Sequence, residues 1–333
     1  MIYLRFFIIV ALVAILNVEN PFSQSLNLPH RIQIQAQPIL NFALEDSARC
    51  EFGALKFRGG LVLSCSYPRF GGISALRIQP DGAHFLALSD RAYWLRGRIV
   101  YEGKRPSDIS DAAMAPVLGP DGKHADGWDT EALALQGQRL YLGVEGLDRI
   151  PIYFSDTREF PVFHDVILFP PGAKDLPSNQ GLEALEFIPN EYSTGGMLTA
   201  FSEKGLDKDG NIIAYLIQGT DQKTFAVKRS ADYDITDAAL LPDKDFLLLE
   251  RKYNIVDGAS MRIRRISSDT VQPDSVVDGP VIVEADDMYQ VDNMEAISVH
   301  CDPSGEVVLT LMSDNNYASD QRTLLLQFTM MDK

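Results

Sequence analysis

The chain has 333 residues, of which 46% are hydrophobic and 23% charged, enough apolar material for one large core or two ordinary domains and too much for a disordered body. Acids outnumber bases 46 to 30, giving a formal net charge of -16. That balance excludes nucleic acid and anionic membrane surfaces as natural partners and suits cations, although solubility alone accounts for most of it.

In chain order, the first segment is unlike the rest. Arg5 precedes an unbroken apolar run from Phe6 to Leu16, too short to span a bilayer but suited to the apolar region of a secretory signal. Residues 1–24 are therefore read as a signal peptide without a clean cleavage pattern; retention as an uncleaved anchor is the alternative. The expectation is a periplasmic or secreted protein, monomeric, with no membrane span in the mature chain. Residues 25–49 form an N-terminal segment, and 50–330 the folded domain. Three cysteines, Cys50, Cys65 and Cys301, leave at least one thiol over. Cys50 and Cys65 are near enough in sequence to pair, and nothing resembles a zinc site.

After residue 50 the sequence alternates short apolar strands with Gly, Asp, Asn and Pro turns. Five segments repeat one pattern: a small or acidic residue, an Ala-containing strand, a turn, and a second strand that ends in an acid. They begin at Ser74-Ala75-Leu76, Glu131-Ala132-Leu133, Glu183-Ala184-Leu185, Asp237-Ala238-Ala239 and Glu295-Ala296-Ile297, and close at Asp90, Glu145, Glu203, Glu250 and Asp314. Each interval leaves room for two more strands, such as Arg149–Phe154 and Val162–Phe169. The expected fold is all-β: a β-propeller of four-stranded antiparallel blades. Runs at Ala54–Phe57 and Leu61–Leu63 suggest a degenerate sixth blade shared with Thr323–Thr329. The reading leans to six blades, with five as the alternative.

In a propeller the start of each inner strand and the end of the next lie at the same mouth of the channel. Glu131, Glu183, Asp237 and Glu295 open inner strands; Asp90, Glu145, Glu203, Glu250 and Asp314 close second strands. All of them would then crowd one mouth. Two carboxylates about 4 Å apart repel by ~4 kcal/mol at an effective dielectric of 20. Protonation, the basic residues Arg91, Lys204 and Arg251, or a bound hard cation would offset that. Ca²⁺, with its 6–8 oxygen ligands, is the expected ion, other divalent cations remaining open. The bland reading is that these acids cap turns and pair with their basic neighbours. Asp207-Lys208-Asp209-Gly210-Asn211 reads as half a calcium loop or as a hairpin turn, the latter fitting its position between strands. His124, near Asp126 and Asp129, is a candidate acid/base group, with a solvated loop histidine as the plainer reading. No nucleophile elbow, P-loop, dinucleotide fingerprint or His-Glu-x-x-His run is present.

The runs Gly71-Gly72-Ile73-Ser74-Ala75-Leu76 through Ser89-Asp90-Arg91, Asp129-Thr130-Glu131-Ala132, Asn179-Gln180-Gly181-Leu182-Glu183-Ala184, Leu249-Glu250-Arg251 and Asp292-Asn293-Met294-Glu295-Ala296 resemble the phytase-like domain family, described as having esterase-like activity. The resemblance covers roughly residues 50–330. It implies an exported bacterial propeller that hydrolyses phosphate or carboxylic esters. The chain lacks the Asp-Ala-x-Asp-Asp-Pro-Ala run associated with calcium-dependent propeller phytases, so the relationship is one of fold rather than of phytate as substrate. The reaction expected is metal-assisted ester hydrolysis, with Glu131, Glu183 or Glu295 activating water and Arg91 or Arg251 meeting the negative charge that develops. A lactonase-like calcium enzyme shares that chemistry. The reading from a different class is a non-catalytic binding module.

Overall fold

The computed structural model describes residues 28–155, 159–169, 181–189, 196–254 and 258–331. The signal-peptide reading falls outside these residues. Strands dominate, and among the described residues the one helical turn is the short 3₁₀ segment Ser268–Thr270. No helix of the described residues is long and apolar enough to cross a membrane.

The strands form five sheets. The first blade runs outward from Ile73–Ile78 through His84–Ser89 and Tyr93–Glu102 to Arg105–Pro116. The second holds Asp129–Gln136, Arg139–Glu145, Arg149–Phe154 and Val162–Leu168. In the third, Leu182–Ile188, Met197–Leu206, Ile212–Gln218 and Asp221–Val227 follow one another. The fourth is built from Asp234–Leu240, Phe246–Asn254, Gly258–Ile266 and Val281–Ala285. The fifth has Asn293–Cys301, Val307–Asp314 and Thr323–Met330, and takes its fourth strand, Leu55–Ser64, from the other end of the chain.

There are five blades, not six. The two runs read as parts of a sixth blade are one strand, Leu55–Ser64, kinked where Arg58 is left out of the pairing between Phe57 and Gly59. The last repeat supplies three strands of its own, so the early strand completes its sheet antiparallel to Thr323–Met330. Closure of this kind covers an edge that would otherwise be open to pairing.

Alternation along each inner strand feeds two cores at once. In the first blade Ala75 enters the apolar cluster shared with the second blade, while Leu76 enters the one shared with the fifth. Ala132, Ala184 and Ala296 repeat the role of Ala75, each fully buried. Small residues are required because inner strands crowd toward the axis. A Cβ on Gly143 would lie 2.7 Å from the Ala132 Cβ and 2.8 Å from the Leu182 carbonyl oxygen of the next blade. Five apolar clusters, one between each neighbouring pair of blades, result.

The axis itself is closed by a side chain. Arg77 donates to the carbonyl oxygens of Leu76, Leu185 and Ile297, at 2.6, 2.9 and 3.3 Å, and pairs with Asp237 at 3.3 Å. One guanidinium thus ties the first, third, fourth and fifth blades.

Candidate functional site: an acidic channel mouth

Every inner strand carries a β-bulge at the same place. In the pairing with the second strand of the blade, Ser74, Glu131, Glu183, Thr236 and Glu295 are each skipped. A bulged residue leaves the ladder, so its side chain is freed from the strict in-out alternation of the strand. Ser74 and Thr236 use that freedom to bridge blades, bonding the carbonyl oxygens of Thr130 at 2.6 Å and Met294 at 3.1 Å. Glu131, Glu183 and Glu295 turn theirs into a tier of carboxyls.

The second strands supply a rim above this tier. The residue that follows the last partner before each bulge is Asp90, Glu145, Glu203, Arg251 or Asp314. Four blades therefore present an acid and the fourth blade presents Arg251.

Two expected members of the ring lie elsewhere. Asp237 sits one residue past the bulge at Thr236, where the other blades have alanine, and is drawn into the axial ion pair with Arg77. It also accepts the backbone N–H groups of Ala238 and Ile297, at 2.8 and 2.9 Å. Glu250 is the residue before the rim position. It is wholly buried between Arg262 and Arg264, with Nε contacts of 2.6 and 2.8 Å, and Arg264 goes on to Asp278 at 3.0 Å. Matching the repeats by their Glu-Ala and terminal-acid signatures misplaces the fourth blade by one residue at both positions.

The remaining acids interact with one another. Burial raises Glu131 well above the ordinary carboxyl range, helped by the charge of Glu183 and a hydrogen bond with Asp129. Burial likewise raises Glu183, with Glu203 and Glu295 adding to it. Glu145 rises through burial and its contact with Asp129. Asp90 is pushed up to about 7 by burial and Asp314, Glu295 to about 7 and Asp314 to about 6 by burial, in each case against nearby arginine. Arg251 contacts Glu295 at 3.1 Å and Glu203 at 3.7 Å, and Lys204 holds Glu203 at 2.8 Å. Among the described residues no basic group forms an ion pair with Glu131 or Glu183.

Among the described residues no three carboxylate, thiol or imidazole groups stand close enough to hold one ion. The carboxyls share a mouth but do not form a cage. The Asp207 carboxylate is used by its own hairpin, accepting the N–H groups of Asp209 and Asn211 at 2.8 Å each. His124 leaves the acids alone: its Nε2–H donates to the Ala92 carbonyl at 3.2 Å, and its ring packs on Tyr93.

One corner of the mouth was half visible in the sequence, which pointed to Asp90 and Arg91 but not to Tyr317 or Asn315. Tyr317 has φ of 53°, unusual for a bulky side chain, and its ring lies 3.6 Å under the Arg91 guanidinium. Gly72, at φ of 61°, passes so close that a Cβ there would strike Asp90 and Tyr317. Asn315 fastens the corner by accepting the N–H groups of Gly72 and Tyr317, at 3.1 and 3.2 Å. Asp129, which couples Glu131 to Glu145, entered the sequence reading only as a loop neighbour of His124 and as the first residue of the Asp129-Thr130-Glu131-Ala132 run.

The chain belongs to the family described as Phytase-like: Esterase-like activity of phytase, which matches residues 68–317. A search of curated proteins found no match. Among solved structures, the chain is similar to an endo-arabinase from Bacteroides thetaiotaomicron at 14% identity, covering 80% of this chain and 96% of that one with a TM-score of 0.47. It is also similar to the PQQ-bound aldose sugar dehydrogenase of Streptomyces coelicolor (12% identity, 90% and 99% covered, TM-score 0.42) and to the glutaminyl cyclase of Myxococcus xanthus (10%, 92% and 100%, TM-score 0.40). Likenesses this distant say nothing of activity.

The raised carboxyls make stability depend on pH with a definite sign. Between the unfolded carboxyl range of about 4 and the folded values near 6–7, the native state holds protons the unfolded chain has lost. Their stabilisation is complete below about pH 4 and is lost as pH rises through about 6–7. The acids held low by hydrogen bonds and bases, Asp81, Asp207, Asp278 and Asp302, act oppositely, but only below about pH 4. The melting temperature is expected to fall between about pH 5 and pH 8, and replacing both Glu183 and Glu295 by Gln should flatten that slope; an unchanged slope would refute the mouth as its source. Glu250→Gln should behave quite differently. It strands two buried guanidiniums and should cost about 3–5 kcal/mol in urea unfolding, whereas Glu183→Gln should cost little.

Proposed function

We propose that the protein hydrolyses esters at the acidic mouth, with one carboxyl acting as general acid and a second as general base. The observation that carries this reading is the juxtaposition of Glu183 and Glu295, both raised by burial and by their acidic neighbours, beside Arg251. Glu183, without an ion-pair partner and raised by burial and by its acidic neighbours, is the proton donor. Glu295, near 7 and held by Arg251, is the base. It takes a proton from water as the oxygen attacks the ester centre. Arg251 meets the negative charge that builds on the ester oxygen, and Glu183 gives its proton to the departing alkoxide. Burial and the charges of Glu203 and Glu145 keep Glu183 protonated, and Arg91, fixed on Tyr317, orients the substrate at the rim.

Of the two ester classes, carboxylic esters suit the site better. A phosphoester would bring negative charge into a well lined by Asp90, Glu131, Glu145, Glu183, Glu203, Glu295 and Asp314. The work would be done in the periplasm or outside the cell, as the amino-terminal apolar run suggests.

The same crowding favours a second reading, a divalent cation such as Ca²⁺ drawn to these carboxylates. Its attraction would relieve the repulsion that raises their pKa values. The side chains would have to draw together to ligate it, and no step above passes through it. With such an ion absent and the acids left to Lys204 and Arg251, the mouth would serve instead as a binding module.

The hydrolytic reading is tested with ethyl and p-nitrophenyl esters of one acid. Glu183→Gln should slow the ethyl ester by about 100-fold or more and the p-nitrophenyl ester far less, because p-nitrophenolate leaves without a proton. Equal losses, or no hydrolysis of either ester by the parent protein, would refute it. For the cation, chelator-stripped protein is melted with increasing Ca²⁺. A folded-state site should add ~2.7 kcal/mol at about one hundred times its dissociation constant; a flat melting temperature would remove the ion.

A further inference from the structure

The turns that join each inner strand to the second strand of its blade lie at the end opposite the acidic mouth. There, between the first and fifth blades, a cavity of about 340 Å³ opens among Gly82, Ala83, Tyr101, His300, Pro303 and Gln327. That size falls within the usual range for small-molecule sites. It belongs to the seam where the ring closes, since Gln327 is on the last strand and Tyr101 on the first blade.

Two buried polar atoms in its lining have no hydrogen-bond partner: Gln327 Oε1 and His300 Nδ1. Gln327 is fully buried and His300 is 8% exposed. The orientation of the Gln327 amide is fixed. Its Nε2 donates to the Tyr101 hydroxyl at 2.9 Å and to Thr310 Oγ1 at 3.0 Å, and Tyr101 in turn donates to the Gly82 carbonyl at 2.7 Å. Swapping the amide ends would break the bond to Tyr101, whose hydroxyl hydrogen is already given to Gly82, so Oε1 stays an acceptor that lacks a donor. Leaving such a group buried and unpaired is costly, and native structures supply a partner.

Charge at the cavity is already matched within the protein. Arg58 donates twice to Asp302 at 3.1 Å, Lys104 pairs with Glu306 at 2.7 Å, and Asp81 pairs with His84 at 2.5 Å. An anion would have to displace Asp302 from Arg58, and a cation would have to displace Lys104 from Glu306. Burial, with Arg58 nearby, lowers His300 to about 4, so its ring is neutral at ordinary pH and offers one acceptor and one donor nitrogen.

We propose that this cavity binds a neutral small molecule bearing a hydroxyl group, whose O–H donates to Gln327 Oε1, with His300 as the second polar contact and Tyr101 and Pro303 as walls for its apolar body. The site is separate from the acidic mouth and does not depend on the reaction proposed there.

Phenol is the simplest probe, with toluene as the same shape without the hydroxyl. Titration of the full chain, followed by the imidazole resonances of His300, should show saturable phenol binding that moves those resonances. Toluene should bind about 10-fold more weakly. Gln327→Met, which keeps the volume and removes the acceptor, should bring phenol down to the affinity of toluene. The comparison of phenol with toluene on the unaltered protein holds even if that variant folds poorly. Equal binding of the two probes would mean an apolar void and overturn the proposal. So would no binding of phenol, unmoved His300 resonances at saturation, or displacement of phenol by inorganic phosphate.

Discussion

An unpaired residue at the top of each inner strand governs the character of the mouth. In a propeller most positions of these strands are committed to the apolar clusters between blades, as Ala75 and Leu76 show. A polar side chain in the regular ladder needs a buried partner, as Arg77 and Asp237 find in each other. The bulge releases one residue per blade from that constraint, and each blade spends its freedom differently. Ser74 and Thr236 fasten one blade to the next through backbone carbonyls. Glu131, Glu183 and Glu295 use the same geometry to gather charge that the cores would not accept. The rim adds Asp90, Glu145, Glu203 and Asp314 a step above, with Arg251 as the exception that breaks the symmetry.

Charge elsewhere in the fold is handled by matching. Glu250 lies between two arginines, and Asp237 meets Arg77 on the axis, where that guanidinium also gathers carbonyl oxygens from three strands. Arg58 and Asp302 form a third buried pair at the far end. In each place the charges are balanced at short range, as burial requires. The mouth is the place where like charges outnumber their partners, and its carboxyls respond by holding protons. That contrast sets a chemically poised site apart from structural ion pairs made of the same residue types.

The fold was legible because its determinants are periodic. Alternating apolar runs, turn residues at regular intervals and a recurring Ala after the first residue of each repeat disclose the blades. The second strand of each repeat ends within a few residues of its predicted place. Two features were hidden for physical reasons. The pairing of the early runs with Thr323–Thr329 was read from the sequence, but not that they fill the fifth repeat instead of adding a sixth blade, because a repeat that lacks its own fourth strand carries no local sign of it. The position of the fourth blade in the ring depends on a bulge, which shifts register without changing composition. Thr236 resembles Glu295 only once the apolar residues before them, Ile235 and Met294, are superposed. Likewise Ser89-Asp90, Ser202-Glu203 and Ser313-Asp314 place Arg251, rather than Glu250, at the rim. The corner formed by Arg91 and Tyr317 arises from a left-handed backbone turn, which a tyrosine does not advertise.

The seam that completes the fifth blade also imposes an order of events in time. Leu63 pairs with Thr323, 260 residues further on. As the chain is made, the strand Leu55–Ser64 must wait for nearly the whole of the rest before its main partner exists. Sheets built from consecutive strands can form early, since their contacts are local, while the last joint carries a large loop-closure cost and forms late. Until then Leu61 and Leu63 lie uncovered beside an unpaired edge. A ring of this design is thus most vulnerable to mispairing just before it is finished, and the early strand Leu55–Ser64 is the part that a chaperone or a misfolding partner would meet first.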